Sequence, residues 1–141
     1  MNALEVRGLS KTYPAFTLKN VSFDVPQGAV VGFIGRNGAG KSTTLKSILG
    51  LVHPDSGDVR FFGQDVRQHE REFKEQIGVV LGGIDFYPKK KVKTITDVTR
   101  RFYGNWDEGK YRHYLDLFGI DESKRVDQLS SGMKVKYLLA L

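Results

Sequence analysis

The 141 residues include no cysteine and no long uninterrupted apolar run. Without thiols the chain forms no disulfide bond and no thiolate metal site. The histidines, His53, His69 and His113, are scattered without the spacing of metal ligands. No stretch approaches the ~18 consecutive apolar residues of a membrane-spanning helix, and the first residues lack the pattern of a secretory signal. We therefore expect a soluble chain that stays in the cytoplasm.

Basic residues outnumber acidic ones, 22 against 16, which gives a formal net charge of +6. Such a balance favours anionic partners such as nucleotide, nucleic acid or acidic lipid without choosing among them. We interpret the densest basic run, Lys89 to Lys93, as a solvated loop. With 40% apolar residues, the chain is long enough for a domain with a hydrophobic core.

The first part of the chain alternates β and α patterns. Ala3 to Leu9 and Leu18 to Val25 alternate apolar and polar residues, which predicts two half-buried strands. Ala29 to Ile34 is continuously apolar and predicts a strand buried in a sheet interior. Helical spacing begins at Lys41, and Gly50 is placed to end that helix.

The middle of the chain predicts two further short strands. Asp58 to Phe62 follows a turn, and Ile77 to Leu81 ends at Gly82 and Gly83. Strands interleaved with helical segments indicate a mixed α/β class.

Beyond Pro88 the pattern becomes helical. Thr94 and Asp97 resemble a capping pair, and Asp107 is placed to cap a second helix that ends at Gly119. We expect a helical subdomain from about residue 85 to residue 129. The apolar and aromatic side chains at core spacing in it are Ile95, Val98, Phe102, Tyr111, Tyr114, Leu115 and Phe118.

Residues Gly35 to Ser42, GRNGAGKS, satisfy the phosphate-loop pattern G-x-x-x-x-G-K-[ST] between a predicted strand and a predicted helix. The glycines let backbone N–H groups face inward, so those donors and the positive helix end can surround phosphate oxygens. The lysine would reach the β- and γ-phosphates, and the serine hydroxyl would ligate Mg²⁺. The predicted nucleotide-binding residues are Gly35, Asn37, Gly38, Ala39, Gly40, Lys41, Ser42 and Thr43, with Ser42 as the metal ligand.

Three features together resemble the ABC ATPases. Residues 35–43, GRNGAGKST, resemble their Walker A sequence, and residues 129–133, LSSGM, resemble their LSGGQ signature. Tyr13, ahead of the loop, matches the aromatic residue that stacks on adenine in that family. The resemblance covers the whole chain, and the variant signature followed by KVK looks most like the subfamily that serves ABC-2-type exporters.

The resemblance implies an α/β P-loop NTPase core with an antiparallel β subdomain and an inserted helical subdomain. The segments would be residues 1–84, 85–129 and 130–141. It further implies Mg-ATP, a transmembrane transporter subunit, a second nucleotide-binding subunit and a cytoplasmic location on the inner face of the cell membrane, with no nucleic acid. The residues expected to contact ATP held by that second subunit are Leu129, Ser130, Ser131, Gly132 and Met133.

The signature also has a physical basis. Either Ser130 or Ser131 can cap a helix that runs through Tyr137 and Leu138. Hydroxyls and N–H groups at the positive end of that helix would form a surface that binds phosphate.

The sequence departs from the family pattern in several places. Gly82 stands where the family usually has glutamine, and Ser131 and Met133 replace a glycine and a glutamine of the signature. No apolar strand ending in Asp-Glu and no switch histidine occurs before Leu141. We therefore expect a truncated core that hydrolyses no ATP alone, with an unpaired apolar edge beside residues 29–34 that is covered by self-association or rearrangement.

Two alternatives stay open. A soluble ABC-class ATPase that acts on ribosomes or nucleic acid would suit the net charge and the basic run. A noncatalytic nucleotide-sensing subunit would suit the departures at Gly82 and Ser131.

Overall fold

The computed structural model of the chain describes residues 1–80 and 87–141, which fall into two compact units, Met1–Gln76 and Ile77–Leu141. The first unit contains β1 (Asn2–Tyr13), β2 (Phe16–Pro26), α1 (Lys41–Ile48), β3 (Ser56–Phe61), β4 (Gln64–Asp65) and α2 (Glu70–Gln76). The second contains α3 (Val92–Thr99), α4 (Glu108–Phe118), α5 (Ser131–Ala140) and short 3-10 turns at Arg100–Phe102 and Val126–Gln128. Within the described ranges, none of the helices combines the length and apolar character that crossing a membrane requires.

The first unit is built on an antiparallel sheet with the strand order β2-β1-β3-β4. Val6 on β1 pairs with Phe23 on β2 and with Val59 on β3. Strict alternation would place Val6 and Leu9 on opposite faces, yet both are fully buried. A register shift between them, at Gly8 with its φ of 61°, turns both side chains inward. The predicted strands at residues 3–9, 18–25 and 58–62 are confirmed within a few residues.

Helix α1 ends in a Schellman motif. Gly50 has a φ of 70°, its N–H donates to the Ser47 carbonyl oxygen at 3.1 Å, and the Leu51 N–H donates to the Lys46 carbonyl oxygen at 2.8 Å. The prediction that Gly50 closes this helix is confirmed.

The prediction of a buried strand at Ala29 to Ile34 is wrong for this structure. The segment lies outside the sheet, Val30 is fully exposed and Ile34 is 95% exposed. A strand requires a neighbouring backbone that completes its hydrogen bonds, and the part of the chain that the structure describes gives this segment no such ladder. Self-association at this segment stays a prediction.

The short strand predicted at Ile77 to Leu81 is not formed over its described residues. Ile77 to Val80 have no regular secondary structure, and Val79 and Val80 are about two-fifths exposed. Leu81, together with Gly82, Gly83 and Asp85, lies outside the described residues.

The second unit has its own apolar core, to which α3, α4 and α5 all contribute. Asp107 caps α4 by accepting a hydrogen bond from the Lys110 N–H at 2.9 Å, and Gly119, with a φ of 65°, ends that helix. Both predictions are confirmed. The core residues are Val92, Ile95, Tyr111, Leu115, Ile120, Val126, Leu129, Tyr137 and Ala140.

The capping pair predicted for the preceding helix is wrong. Helix α3 begins at Val92 with Lys91 as its N-cap, so Thr94 lies inside the helix. The earlier start makes Val92, Ile95 and Thr96 the buried face. Of the predicted apolar stripe, Ile95 is buried, whereas Val98 is half exposed and Phe102 is 72% exposed.

The division into segments 1–84, 85–129 and 130–141 stays a prediction. The boundary at residue 84 falls outside the described residues. The second unit contains α5 as well as the helices of the predicted helical subdomain.

Candidate nucleotide-binding site

The phosphate loop is a tight turn that leads directly into α1. Gly38 and Gly40 have φ values of 81° and 94°, a region that side-chain-bearing residues rarely adopt. The Ala39 N–H donates to the Arg36 carbonyl oxygen at 3.1 Å, and the Thr44 N–H donates to the Gly40 carbonyl oxygen at 2.8 Å. The N–H groups of the residues before Thr44 have no acceptor within the helix, since they belong to its first turn. The loop therefore presents backbone donors at the positive end of a helix.

Lys41 folds back over the loop to which it belongs. Its ammonium donates to the carbonyl oxygens of Gly35 and of Arg36, the latter at 2.9 Å. Neutral carbonyls compensate the charge less fully than a phosphate would. The side chain is therefore already beside the loop and can exchange these acceptors for anionic ones.

An open cavity of about 480 Å³ lies against this loop. Its volume is within the range of small-molecule sites. Two of its lining residues come from the β1–β2 hairpin and the rest from the loop and the start of α1: Ala15, Phe16, Asn37, Gly38, Gly40, Lys41, Ser42 and Thr43. The structure thus brings six of the eight predicted loop residues together around one space. The other two, Gly35 and Ala39, shape the turn through the hydrogen bonds already described.

Sequence reasoning missed Phe16. A Cβ atom added to Gly40 would lie 2.9 Å from Phe16 Cζ and 2.6 Å from Leu18 Cδ1, so β2 packs tightly against the loop. Gly40 is therefore required by its backbone angle, and a side chain there would also displace the ends of the Phe16 and Leu18 side chains. The signal for Phe16 was its position two residues before Leu18, the first residue of the predicted strand at residues 18–25.

Tyr13 lies at the last position of β1, opposite Phe16 across the hairpin. It is 38% exposed, and the Lys11 ammonium lies 5.9 Å from its ring centroid. Tyr13 is not among the residues that line the cavity. Its predicted stacking on adenine stays a prediction.

The signature segment begins α5. Ser130 is the N-cap, and its hydroxyl oxygen accepts a hydrogen bond from the Met133 N–H at 3.2 Å. Ser130, Ser131 and Gly132 are exposed, whereas Leu129 is only 5% exposed and Met133 packs against the helical core. The surface at this helix end is therefore formed by the two serines and the glycine. The side chains of Leu129 and Met133 support it from inside.

A magnesium ligand is available at the loop. Ser42 is exposed in the first turn of α1 and lines the cavity. Mg²⁺ commonly takes one or two protein oxygens together with phosphate oxygens and water, so a single hydroxyl beside the loop fits that ion. Among the described residues no group of three or more His, Cys, Asp or Glu could hold a metal. Gly82, which stands where the resembled family usually has glutamine, lies outside the described residues.

The fold and the loop define a class: a nucleotide-binding domain with a phosphate loop at a helix N-terminus. The sequence profile of the ABC transporter family matches residues 18–141. The chain belongs to the ABC transporter family, as a nucleotide-binding domain of it.

Individual relatives agree with this assignment. The chain is 33% identical over 139 residues to the ABC transporter ATP-binding protein YtrB of Bacillus subtilis, covering 98% of this chain and 47% of that protein. It is 34% identical over 143 residues to the Nod factor export ATP-binding protein I of Burkholderia orbicola, covering 97% and 47%. The chain thus spans about half the length of the curated relatives that it matches.

Solved structures show the same fold. An ATP-binding subunit of an ABC transporter superposes with a TM-score of 0.84 at 30% identity, over 98% of this chain and 60% of that one. The ATP-binding cassette MJ1267 superposes with a TM-score of 0.77 at 24% identity, over 99% of this chain and 64% of that chain, and supports the fold alone. The expected fold class is confirmed.

Proposed function

We propose that this chain binds Mg-ATP through residues 35–43 as part of the ATP-binding subunit of an ABC transporter. One observation carries the proposal: a lysine and the first residues of a helix line one cavity beside a loop whose positions 38 and 40 have the positive φ that favours glycine. This combination suits a polyphosphate because each donor offers positive charge or a hydrogen bond to oxygen.

Each residue has a distinct part in binding. The Lys41 ammonium leaves the Gly35 and Arg36 carbonyls and pairs with the β- and γ-phosphates. The backbone of Gly38 to Lys41 donates to phosphate oxygens, and Thr43 adds a further contact. The Ser42 hydroxyl would hold Mg²⁺, and the ion would neutralise part of the phosphate charge.

The start of α5 is the proposed contact with a second nucleotide. The hydroxyls of Ser130 and Ser131 and the N–H groups of the first turn lie at the positive end of a ten-residue helix. In a head-to-tail pair of nucleotide-binding subunits, this end would face the γ-phosphate of ATP on the partner. ATP would then promote dimerisation.

The proposed setting is the cytoplasmic face of the cell membrane, with a transmembrane subunit as partner and no nucleic acid. Support comes from relatives described as a bacitracin transport protein and as Nod factor export proteins. An export direction is the version of this proposal that the Nod factor export name favours. An ABC-2-type membrane partner is proposed from the variant signature at residues 129–133 and the KVK that follows it.

The experiment is calorimetric titration of Mg-ATP into the chain. We expect saturable binding that Lys41→Ala abolishes. Lys46→Ala is the matched control, since Lys46 is an exposed lysine on the same helix that does not line the cavity. Equal loss in both variants would indicate a general effect of charge, and unchanged affinity in Lys41→Ala would contradict the proposal.

For the 141-residue chain we propose binding without turnover. Its sequence includes no apolar strand followed by an aspartate and glutamate that could hold the metal and polarise water. Phosphate release from Mg-ATP should stay at the level of Lys41→Ala. Release that disappears in that variant would contradict the proposal.

A further inference from the structure

The carboxylate of Asp55 binds the end of β1 at successive residues. Its Oδ2 accepts the Thr12 N–H at 2.7 Å, and its Oδ1 accepts the Lys11 ammonium at 2.7 Å. The Asp55 N–H in turn donates to the Ser10 carbonyl oxygen at 2.8 Å. The Lys11 side chain and the Thr12 N–H together lower the pKa of Asp55 below its ordinary value. The carboxylate is therefore ionised in this arrangement at neutral pH.

The same lysine reaches the ring of Tyr13. Lys11 and Tyr13 are two positions apart on a strand and so point to the same face. The Lys11 ammonium lies 5.9 Å from the Tyr13 ring centroid, within the range of a cation–π interaction. Asp55 thus holds the cation that lies over this ring, and Tyr13 stays 38% exposed to solvent.

The hairpin tip connects this arrangement to the phosphate loop. Tyr13 pairs with Phe16 at the end of the β1–β2 ladder, and Phe16 lines the cavity beside Gly40. The turn that carries Asp55 is fixed at its other side, because a Cβ atom on Gly57 would lie 2.6 Å from the Gly8 backbone. The turn at Asp55 therefore holds the end of β1, from which the otherwise exposed hairpin tip projects.

We propose that Asp55 is a positioning residue for the nucleoside end of the nucleotide. It acts by fixing the hairpin tip, Tyr13 to Phe16, next to the phosphate loop. Ordering the tip before binding avoids an entropic cost that a mobile tip would pay when the base binds. The inference rests on the proposed function of the loop, and it extends that function from the phosphates to the base.

The test separates the base from the phosphates by comparing two ligands, Mg-ATP and Mg-tripolyphosphate, which lacks the nucleoside. Asp55→Ala removes both acceptors, and Asp55→Asn keeps an oxygen for the Thr12 N–H while it loses the charge. The matched control is Asp65→Ala, since Asp65 also accepts a backbone N–H, that of Arg67 at 2.8 Å, and pairs with its guanidinium at 3.4 Å. Asp65 lies on β4, away from the hairpin tip.

We expect Asp55→Ala to weaken Mg-ATP binding by roughly three- to tenfold, an effect on the order of one ordinary hydrogen bond because the loss acts through the position of the hairpin tip, with tripolyphosphate affinity unchanged. Asp55→Asn should lie between Asp55→Ala and the parent chain, and Asp65→Ala should match the parent for both ligands. If Asp55→Ala does not fold, Asp55→Asn alone carries the test through the ratio of the two affinities.

The inference would be overturned if the ratio of Mg-ATP affinity to Mg-tripolyphosphate affinity were the same in the Asp55 variants as in the parent. This holds whether both affinities fall together or neither changes. Lys41→Ala separates this failure from failure of the proposed function. If Lys41→Ala loses both ligands while Asp55 variants bind like the parent, the positioning role alone is wrong. If Lys41→Ala binds both ligands normally, the proposed function of the loop is wrong as well.

Discussion

The ammonium of Lys41 lies 2.9 Å from the carbonyl oxygen of Arg36, inside the loop that is proposed to receive phosphate. A second bond to the Gly35 carbonyl holds the same side chain. The lysine therefore stabilises the loop in this conformation, and the proposed function requires it to exchange these partners for phosphate oxygens.

Replacing this lysine by methionine tests the two roles together. Lys41→Met keeps an unbranched chain but removes the donor, so we expect the free energy of unfolding to fall by about 1 kcal/mol without nucleotide. Mg-ATP at a hundred times its dissociation constant should stabilise the parent by about 2.7 kcal/mol and the variant by almost nothing. Denaturant melts with and without Mg-ATP measure both. An equal nucleotide effect in the two proteins would contradict the assignment.

Gly57 lies on β3, packs against the backbone of β1 and is expected to tolerate no side chain. Its φ is 97°, and an added Cβ would lie 2.6 Å from the backbone of Gly8 and Leu9, which has no flexible end that could move. Gly57→Ala should cost about 3 kcal/mol or more in urea melts, from strain and overpacking together. Gly63→Ala is the control, since Gly63 has a φ of 80° but nothing within 4 Å. It should cost about 1 kcal/mol, and equal losses would show that the contact with β1 is unimportant.

The buried hydroxyl of Tyr137 is expected to make the stability of the fold decrease at high pH. Its hydroxyl lies 2.9 Å from Thr96 Oγ1 and donates to the Val92 carbonyl oxygen at 3.1 Å. Burial, which disfavours the phenolate, raises the pKa of Tyr137 to about 12. A raised pKa stabilises the fold below the unfolded value of about 10, and this stabilisation is lost as the pH rises from 10 to 12.

The expected loss between those pH values is about 2 kcal/mol from Tyr137. Burial also raises the pKa of Tyr111, so the two hydroxyls, which both contact Thr96, add to the decline. Tyr137→Phe should cost about 1 to 2 kcal/mol at neutral pH and should make the decline shallower. Denaturant melts at several pH values measure this. If the free energy of unfolding fell with pH equally in parent and variant, the account would be contradicted.

The cap of α5 offers a comparison between adjacent serines. Ser130 accepts the Met133 N–H, whereas Ser131 is exposed in the first turn. Ser130→Ala should lower stability by about 1 kcal/mol, and Ser131→Ala should change it by less than about 0.5 kcal/mol. Thermal melts with the opposite order would mean that Ser131 is the structural cap.

Most local signals were read correctly from the sequence, with the capping pair at Thr94 and Asp97 as the exception. Gly50, Asp107 and Gly119 end or begin helices through hydrogen bonds to residues a few positions away, so their roles are visible in a short window. For α5 the sequence left Ser130 and Ser131 as alternative caps, and the structure selects Ser130. Alternation likewise predicted β1 and β2, because period-two burial is also a short-range property.

Long-range features were not readable in this way. Residues 29–34 have the composition of a buried strand, but burial depends on neighbouring strands, which a single segment does not encode. Phe16 reaches the cavity through the register of the hairpin, and Asp55 reaches Thr12 across more than forty residues of sequence. Motif spacing predicted the loop, whereas only the structure joins it to the hairpin and the turn.

The central claim is that the loop and the first turn of α1 bind the phosphates of Mg-ATP. The most direct measurement is a titration of ¹⁵N-labelled chain with Mg-ATP, in which the amide chemical shifts are recorded by nuclear magnetic resonance. The account predicts the largest shifts at Gly38, Gly40, Lys41 and Ser42, and their loss in Lys41→Ala. Saturable shifts that leave these four amides unchanged, or that persist in Lys41→Ala, would contradict it.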